Sequence, residues 1–421
     1  MTLALSSDRA FVRATGGSRR HLVIRWTAPP RTVVEQRPAV RVGFSLDRSG
    51  SMAGQKLVLA REALLGAVAL LEERDAFSIV AFDDRVELVA PLRNATAEAK
   101  AEARRAVAGI EARANTNLFR GFLTACETIA PGPGVPDGMA RCMLLTDGQA
   151  NAEETNPERL AAHAGALRER GIGLSTFGVG ADFDEVLLRA MADAGGGNFF
   201  YVGSADQIPV VMRRELSEVL LISQRGVRAR LSLPHGVSAR LIGEHRVDAG
   251  DVMTVHLGDL VADEQIELVV SLQFPRDTAG VTAPLQVRIE DERGACGEST
   301  FTWTYAEGMV NDTQSRNVVA DRLIGQRHAD KTRLRALRLN RKGEFAEIGR
   351  MFHDLVAHIR SYAGTDPELL ALIAQLTIDE REYARRMDEI GHKSRHMTSS
   401  SRIRGKETTG SASRPVRLDE E

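Results

Sequence analysis

Between residues 38 and 222 the chain alternates short apolar runs with longer amphipathic ones, and this alternation constrains its fold more than any other feature. Strand patterns fall at Val40–Leu46, Ala76–Phe82, Arg85–Val89, Cys142–Thr146, Leu174–Val179 and Phe199–Val202. Helical patterns fill the intervals at Gln55–Glu72, Ala95–Ala108, Leu118–Ile129, Pro157–Arg170, Glu185–Ala194 and Ala205–Leu221. Strands separated by helices predict a doubly wound α/β fold, a mostly parallel sheet covered on both faces. Sheets of that kind receive ligands at the carboxyl ends of their strands.

One such end carries unusual chemistry. The run Val40, Val42, Phe44, Leu46 delivers Asp47-Arg48-Ser49-Gly50-Ser51, an Asp-x-Ser-x-Ser pattern of one carboxylate and two hydroxyls. Hard oxygen donors without Cys or His suit Mg²⁺ or Mn²⁺ rather than zinc. The segment Ala114-Asn115-Thr116-Asn117-Leu118 adds a hydroxyl just before a helix. A further apolar strand, Met143-Leu144-Leu145-Thr146, ends in Asp147-Gly148. Singly, each residue has an ordinary structural use. Ser49 or Ser51 would cap a helix, Thr116 or Asn117 would cap the helix from Leu118, and Asp147-Gly148 would make a turn. Convergence on one sheet edge favours a metal site over those uses.

With these residues, the stretch from about residue 38 to 222 resembles a von Willebrand factor type A domain. Asp47, Ser49, Ser51, Thr116 and Asp147 match the family's metal-ion-dependent adhesion site. The resemblance implies that Ser49 and Ser51 bind the ion directly and that Thr116 joins them in the ligand-competent state. Asp47 and Asp147 would act largely through bound water. It further implies an open position for an Asp or Glu of a partner protein, hence a non-enzymatic interaction module without catalytic residues. The alternative is a regulatory subunit of a multi-protein enzyme machine, such as an AAA+ ATPase or chelatase-type complex, using the same residues. The family often has Gly-Gly before the Thr; here Ala114 and Asn115 stand there, which bears on loop switching.

The flanking sequence changes character. Residues 226–305 alternate in short runs broken by Gly, Pro and Asp, predicting an antiparallel β-sandwich. His21–Trp26 has the same pattern, so residues 1–37 are expected to join that sandwich, with the type A region inserted between. Residues 311–390 return to helical spacing, with junctions at Lys342-Gly343-Glu344-Phe345 and Thr365-Asp366-Pro367. Arg333, Arg335, Arg338 and Arg341 read as a solvated helix face, and Asp83-Asp84 as a hairpin turn. Residues 392–421 have almost no apolar content and read as a disordered tail. The order of segments resembles bacterial proteins with a type A domain, a β-sandwich and a helical C-terminal region.

Composition narrows the function classes. The net charge is -2, with 55 basic and 57 acidic residues, so nothing draws the whole chain to nucleic acid or anionic lipid. No run approaches the ~18 uncharged apolar residues of a membrane span, and residues 1–17 lack the apolar core of a secretory signal. Cys126, Cys142 and Cys296 lack CxxC spacing, which fits neither a disulfide framework nor a zinc ribbon, and a reducing cytoplasm is the expected compartment. There is no Gly-x-x-x-x-Gly-Lys-Ser/Thr phosphate loop.

Overall fold

Val40–Asp47 lies near the middle of a six-stranded sheet. The order across it is Val86–Asn94, Ala76–Phe82, Val40–Asp47, Met139–Thr146, Ile172–Val179, Gly196–Val202. Neighbours run parallel except Val86–Asn94, which is antiparallel to Ala76–Phe82 at the edge. The computed structural model describes residues 2–30, 38–113, 115–132, 138–148, 154–180, 182–250, 252–387, 395 and 406–407. The chain divides into two compact units, residues 32–222 and residues 1–31 with 223–421.

The first unit is the doubly wound α/β domain. From Val40–Asp47 the chain builds outward in one direction through Ala76–Phe82, then returns to build the other half from Met139–Thr146. The switch point lies between Val40–Asp47 and Met139–Thr146, where Leu46 pairs with Leu145 and their carboxyl ends open onto one crevice. One face of the sheet packs on Leu57, Ala60, Leu64 and Val68 of Gln55–Leu70 and on Met212 and Leu216 of Ile208–Leu220. The other face packs on Leu118, Phe122 and Cys126 of Leu118–Thr128, with Leu160 and Leu187. Burial on both faces explains why these strands read as continuous apolar runs. Cys126 and Cys142 are buried, unpaired thiols within this core.

The edge strand runs well past the predicted Arg85–Val89 because Pro91 interrupts its pattern without ending it. Proline lacks the N–H that a central ladder requires, and here it falls beside an irregular register at the sheet edge. The turn before it uses Asp83, whose N–H donates to the Arg85 carbonyl at 2.9 Å while its carboxylate accepts from the Arg85 N–H at 2.7 Å.

The second unit contains two sheets around one core that includes Trp26, Leu231, Val255, Leu268, Val287 and Trp303. Arg19–Thr27 pairs with Gln265–Gln273 through nine register positions, and Thr2–Ser7 extends the same sheet. Facing them is the sheet Val247–Asp248, Val252–Val261, Ile222–Ser232, Thr282–Asp291, Gly294–Ala306, Phe11–Arg13. Its last pair, Gly294–Ala306 with Phe11–Arg13, is parallel.

A short helix, Gly308–Thr313, and three longer ones, Val318–Lys342, Phe345–Ala363 and Pro367–Tyr383, follow. Gly343, at φ 75°, ends the first of the longer three, and the Asp366 carboxylate caps the third by accepting from the Leu369 N–H at 3.0 Å. Ala320 and Ile324 pack against Val23, Ile242 and Val269 on the outer face of the smaller sheet. Arg333 departs from the solvated-face reading. It is buried and paired with Asp330 at 2.9 Å and Asp379 at 2.6 Å, whereas Arg335 and Arg338 are exposed. Of the tail, only Arg395 and Lys406–Glu407 lie within the described residues, and Lys406–Glu407 pairs with Gln265–Ile266. Among the described residues no helix is long and apolar enough to cross a membrane.

Candidate functional site

Asp47 is the last residue of its strand and is fully buried. One carboxylate oxygen accepts the Ser49 N–H at 2.8 Å and the other accepts the Thr146 hydroxyl at 2.5 Å. Thr146 ends the neighbouring strand, so the register of two parallel strands fixes the carboxylate's orientation. The chain then turns sharply through Gly50–Met52, with buried Met52 anchoring the loop from below. This turn brings the Ser49 and Ser51 hydroxyls within 3.2 Å of each other.

Asp147 closes the crevice from the adjacent strand. Its carboxylate accepts the Ser51 hydroxyl at 2.7 Å and is paired with the Lys56 ammonium at 2.5 Å. Thr116 is buried, and a side-chain carbon added at Gly148 would lie 3.3 Å from its hydroxyl and 3.9 Å from an Asp47 oxygen. Thr116 is held by its neighbour Asn117, whose N–H donates to the Asp83 carbonyl at 2.7 Å and whose side chain caps the helix from Leu118. The segment before it is tied to the Asp-x-Ser-x-Ser loop where the Arg113 N–H donates to the Arg48 carbonyl at 2.8 Å. Arg48 and Arg113 both donate to the buried Asp83 carboxylate at 2.8 Å, a second brace between these loops.

The structure therefore gathers Asp47, Ser49, Ser51, Thr116 and Asp147 at one loop edge, from three separated segments. Ala114 lies outside the described residues. Two participants were not singled out from sequence. Lys56 sits in the first turn of the helix Gln55–Leu70, where a lysine reads as surface charge. Thr146 reads as the last residue of a strand, and only its hydroxyl's bond to Asp47 gives it a role.

The electrostatics are asymmetric. Burial pushes the Asp47 carboxyl up to about 6; bonds from Thr146 and Ser49 oppose this, and nearby Asp147 adds to it. Among the described residues Asp47 has no cationic partner, while Asp147 has Lys56. Of two carboxylates, both at most 1% exposed, Lys56 thus neutralises only Asp147. Among the described residues no three His, Cys, Asp or Glu side chains are grouped to hold a metal ion, so any ion here would depend on hydroxyl oxygens. An all-oxygen set with unbalanced negative charge fits a small, hard divalent cation.

Fold and site together define an α/β domain whose ligand edge is an Asp-x-Ser-x-Ser loop at a topological switch point. Residues 42–214 match the von Willebrand factor type A domain, and the chain carries a domain of that family. Over 255 residues it is 29% identical to the uncharacterized protein YfbK of Escherichia coli (strain K12), covering 59% of this chain and 44% of that protein. It is 32% identical over 161 residues to human inter-alpha-trypsin inhibitor heavy chain H4, covering 37% of this chain and 17% of that one. These matches span less than half the length of either relative. A solved von Willebrand factor type A protein from Catenulispora acidiphila shares the fold over 94% of this chain and 96% of its own, with TM-score 0.72 and 19% identity. The ArnB paralog VWA2 from Sulfolobus acidocaldarius covers 95% and 98%, with TM-score 0.58 and 14% identity.

Proposed function

We propose that the type A domain is a metal-dependent protein-binding module, holding Mg²⁺ or Mn²⁺ through Asp47, Ser49, Ser51, Thr116 and Asp147 and engaging an Asp or Glu of a partner. The observation that carries this reading is a buried Asp47 without a counterion among the described residues, beside Ser49 and Ser51 hydroxyls 3.2 Å apart. A bound divalent ion supplies concentrated positive charge and a coordination position for an external carboxylate oxygen.

The chain's own residues prepare that position. The Ser49 N–H and Thr146 hydroxyl hold the Asp47 carboxylate in place, so it needs little reorganisation. The Ser49, Ser51 and Thr116 hydroxyls are neutral donors and leave net positive charge for a partner's acid. Asp147, already paired with Lys56, contributes less negative charge than a free carboxylate would. The set binds and orients; no nucleophile or general base is needed for that task. Three unpaired cysteines are in keeping with a reducing, cytoplasmic setting for a bacterial protein.

Affinity capture from the native cell in Mg²⁺ and in EDTA, with wild-type and Thr116→Ala protein, tests this reading. A partner retained only with the divalent ion and only by the wild type is the expected result. A partner retained equally in EDTA would refute it and assign the interaction to another surface.

A further inference from the structure

A second site lies in the other unit, independent of the metal reading. A cavity of about 990 Å³ opens between the sheet carrying Arg19–Thr27 and the helices Val318–Lys342 and Phe345–Ala363. Its walls bring together six arginines, Lys331 and three histidines against two carboxylates, Asp8 and Asp312. In a chain of net charge -2 this is a strong local excess of positive charge.

Several of these cations already have partners. Arg13 pairs with Asp312 at 2.5 Å, Arg316 with Asp321 at 2.5 Å, and the buried Arg20 donates to Asn311 and to the Phe11 carbonyl. The side chains of Arg19, Arg240 and Lys331 make no hydrogen bond or close ion pair among the described residues; Arg19 and Arg240 are exposed, and Lys331 feels the attraction of Glu244. Three enclosed polar atoms of the lining also lack a hydrogen bond among those residues, Arg9 Nε, His328 Nε2 and the Tyr362 hydroxyl. His328 stands edge-on to buried His21, with ring centres 5.6 Å apart, and 6.3 Å from His358.

We propose that this cavity binds a small molecule carrying phosphate groups with two or more negative charges. Arg19, Arg240 and Lys331 supply the unpaired charge, and His328 and Tyr362 the directed donors. The wall's cations outnumber its two carboxylates, which Arg9 and Arg13 already engage, and a multiply charged oxyanion meets several of the remaining cations together. Arginine forks match phosphate oxygens in geometry as well as charge. The volume is that of a small-molecule pocket. A nucleic acid would want stacked aromatic platforms, whereas the one tyrosine here is already covered by the Arg316 guanidinium, 4.5 Å from its ring centre.

The titration behaviour agrees. Burial, then the neighbouring His358, Arg19, Arg316 and Arg20, holds His21 down to about 4. Burial, then His21, His358, Lys331 and Arg19, holds His328 down to about 3. Lys331 is lowered by burial and then by Arg240, with Glu244 opposing.

The test is calorimetric titration of the full chain with pyrophosphate in EDTA at low salt. It compares wild type, Arg240→Glu/Lys331→Glu, Tyr362→Phe and Asp47→Ala. The expected result is single-site binding that weakens at least roughly tenfold in the double variant and measurably in Tyr362→Phe, and is unchanged in Asp47→Ala. Tyr362→Phe removes one oxygen and keeps the test valid if the charge reversals disturb folding. Absence of binding, or equal affinity in the double variant, would overturn the proposal. Citrate binding as tightly as pyrophosphate would overturn the phosphate assignment. Binding of a phosphoserine peptide without binding of pyrophosphate would overturn the small-molecule assignment.

Discussion

The Ser51 hydroxyl donates a 2.7 Å hydrogen bond to the Asp147 carboxylate, joining residues 96 positions apart across the switch point of the sheet. Ser51 is exposed and Asp147 buried, so the bond links the accessible rim of the site to its floor. The Lys56 ammonium holds the other Asp147 oxygen.

Lys56→Gln is therefore expected to tighten Mn²⁺ binding several-fold, because it removes a positive charge from the second carboxylate. Calorimetric titration of the variant beside wild type measures this, and an unchanged or weaker affinity would show that Lys56 instead holds Asp147 in its binding position.

Gly121, on the helix that follows Thr116, permits close approach to the sheet, since a side-chain carbon there would overlap the ring of Phe82. Gly121→Ala should lower stability by about 1–3 kcal/mol through overpacking. Urea unfolding of the variant checks the value; stability equal to wild type would mean that the helix shifts freely.

Much of this was legible in the sequence. The doubly wound fold was readable because both faces of the sheet are covered, which makes each strand a continuous apolar run bounded by turn residues. The positions of Asp47, Ser49, Ser51 and Asp147 at strand ends followed from the same pattern. Ser238–Leu241, Val247–Asp248 and Phe11–Arg13 were not legible, being too short for alternation to register. Arg333 was misread because helical spacing cannot reveal that Asp379, 46 positions on, would meet it in a buried pair. The histidine-lined cavity left no local signal, since His21, His328 and His358 are brought together only by tertiary packing.

That cavity also predicts a pH dependence. His21 and His328 lie at about 4 and about 3 in the folded protein, below their ordinary 6.5. As pH falls below 6.5 the unfolded chain takes up these protons first. Their contribution to stability is thus complete above that pH and is lost progressively as pH falls toward the folded values. His328→Asn should lose less stability than wild type between about pH 7.5 and about pH 5. Parallel profiles from chemical unfolding would contradict the assignment.

Direct Mn²⁺ binding, followed by electron paramagnetic resonance and calorimetry on wild type and on Ser49→Ala/Ser51→Ala, tests the central claim most closely. The double variant removes two oxygens at the loop edge and leaves the sheet core intact. One Mn²⁺ per chain in the wild type, with affinity lost by roughly 10- to 100-fold in the variant, is the expected result. Equal Mn²⁺ affinity in the two proteins would contradict the claim.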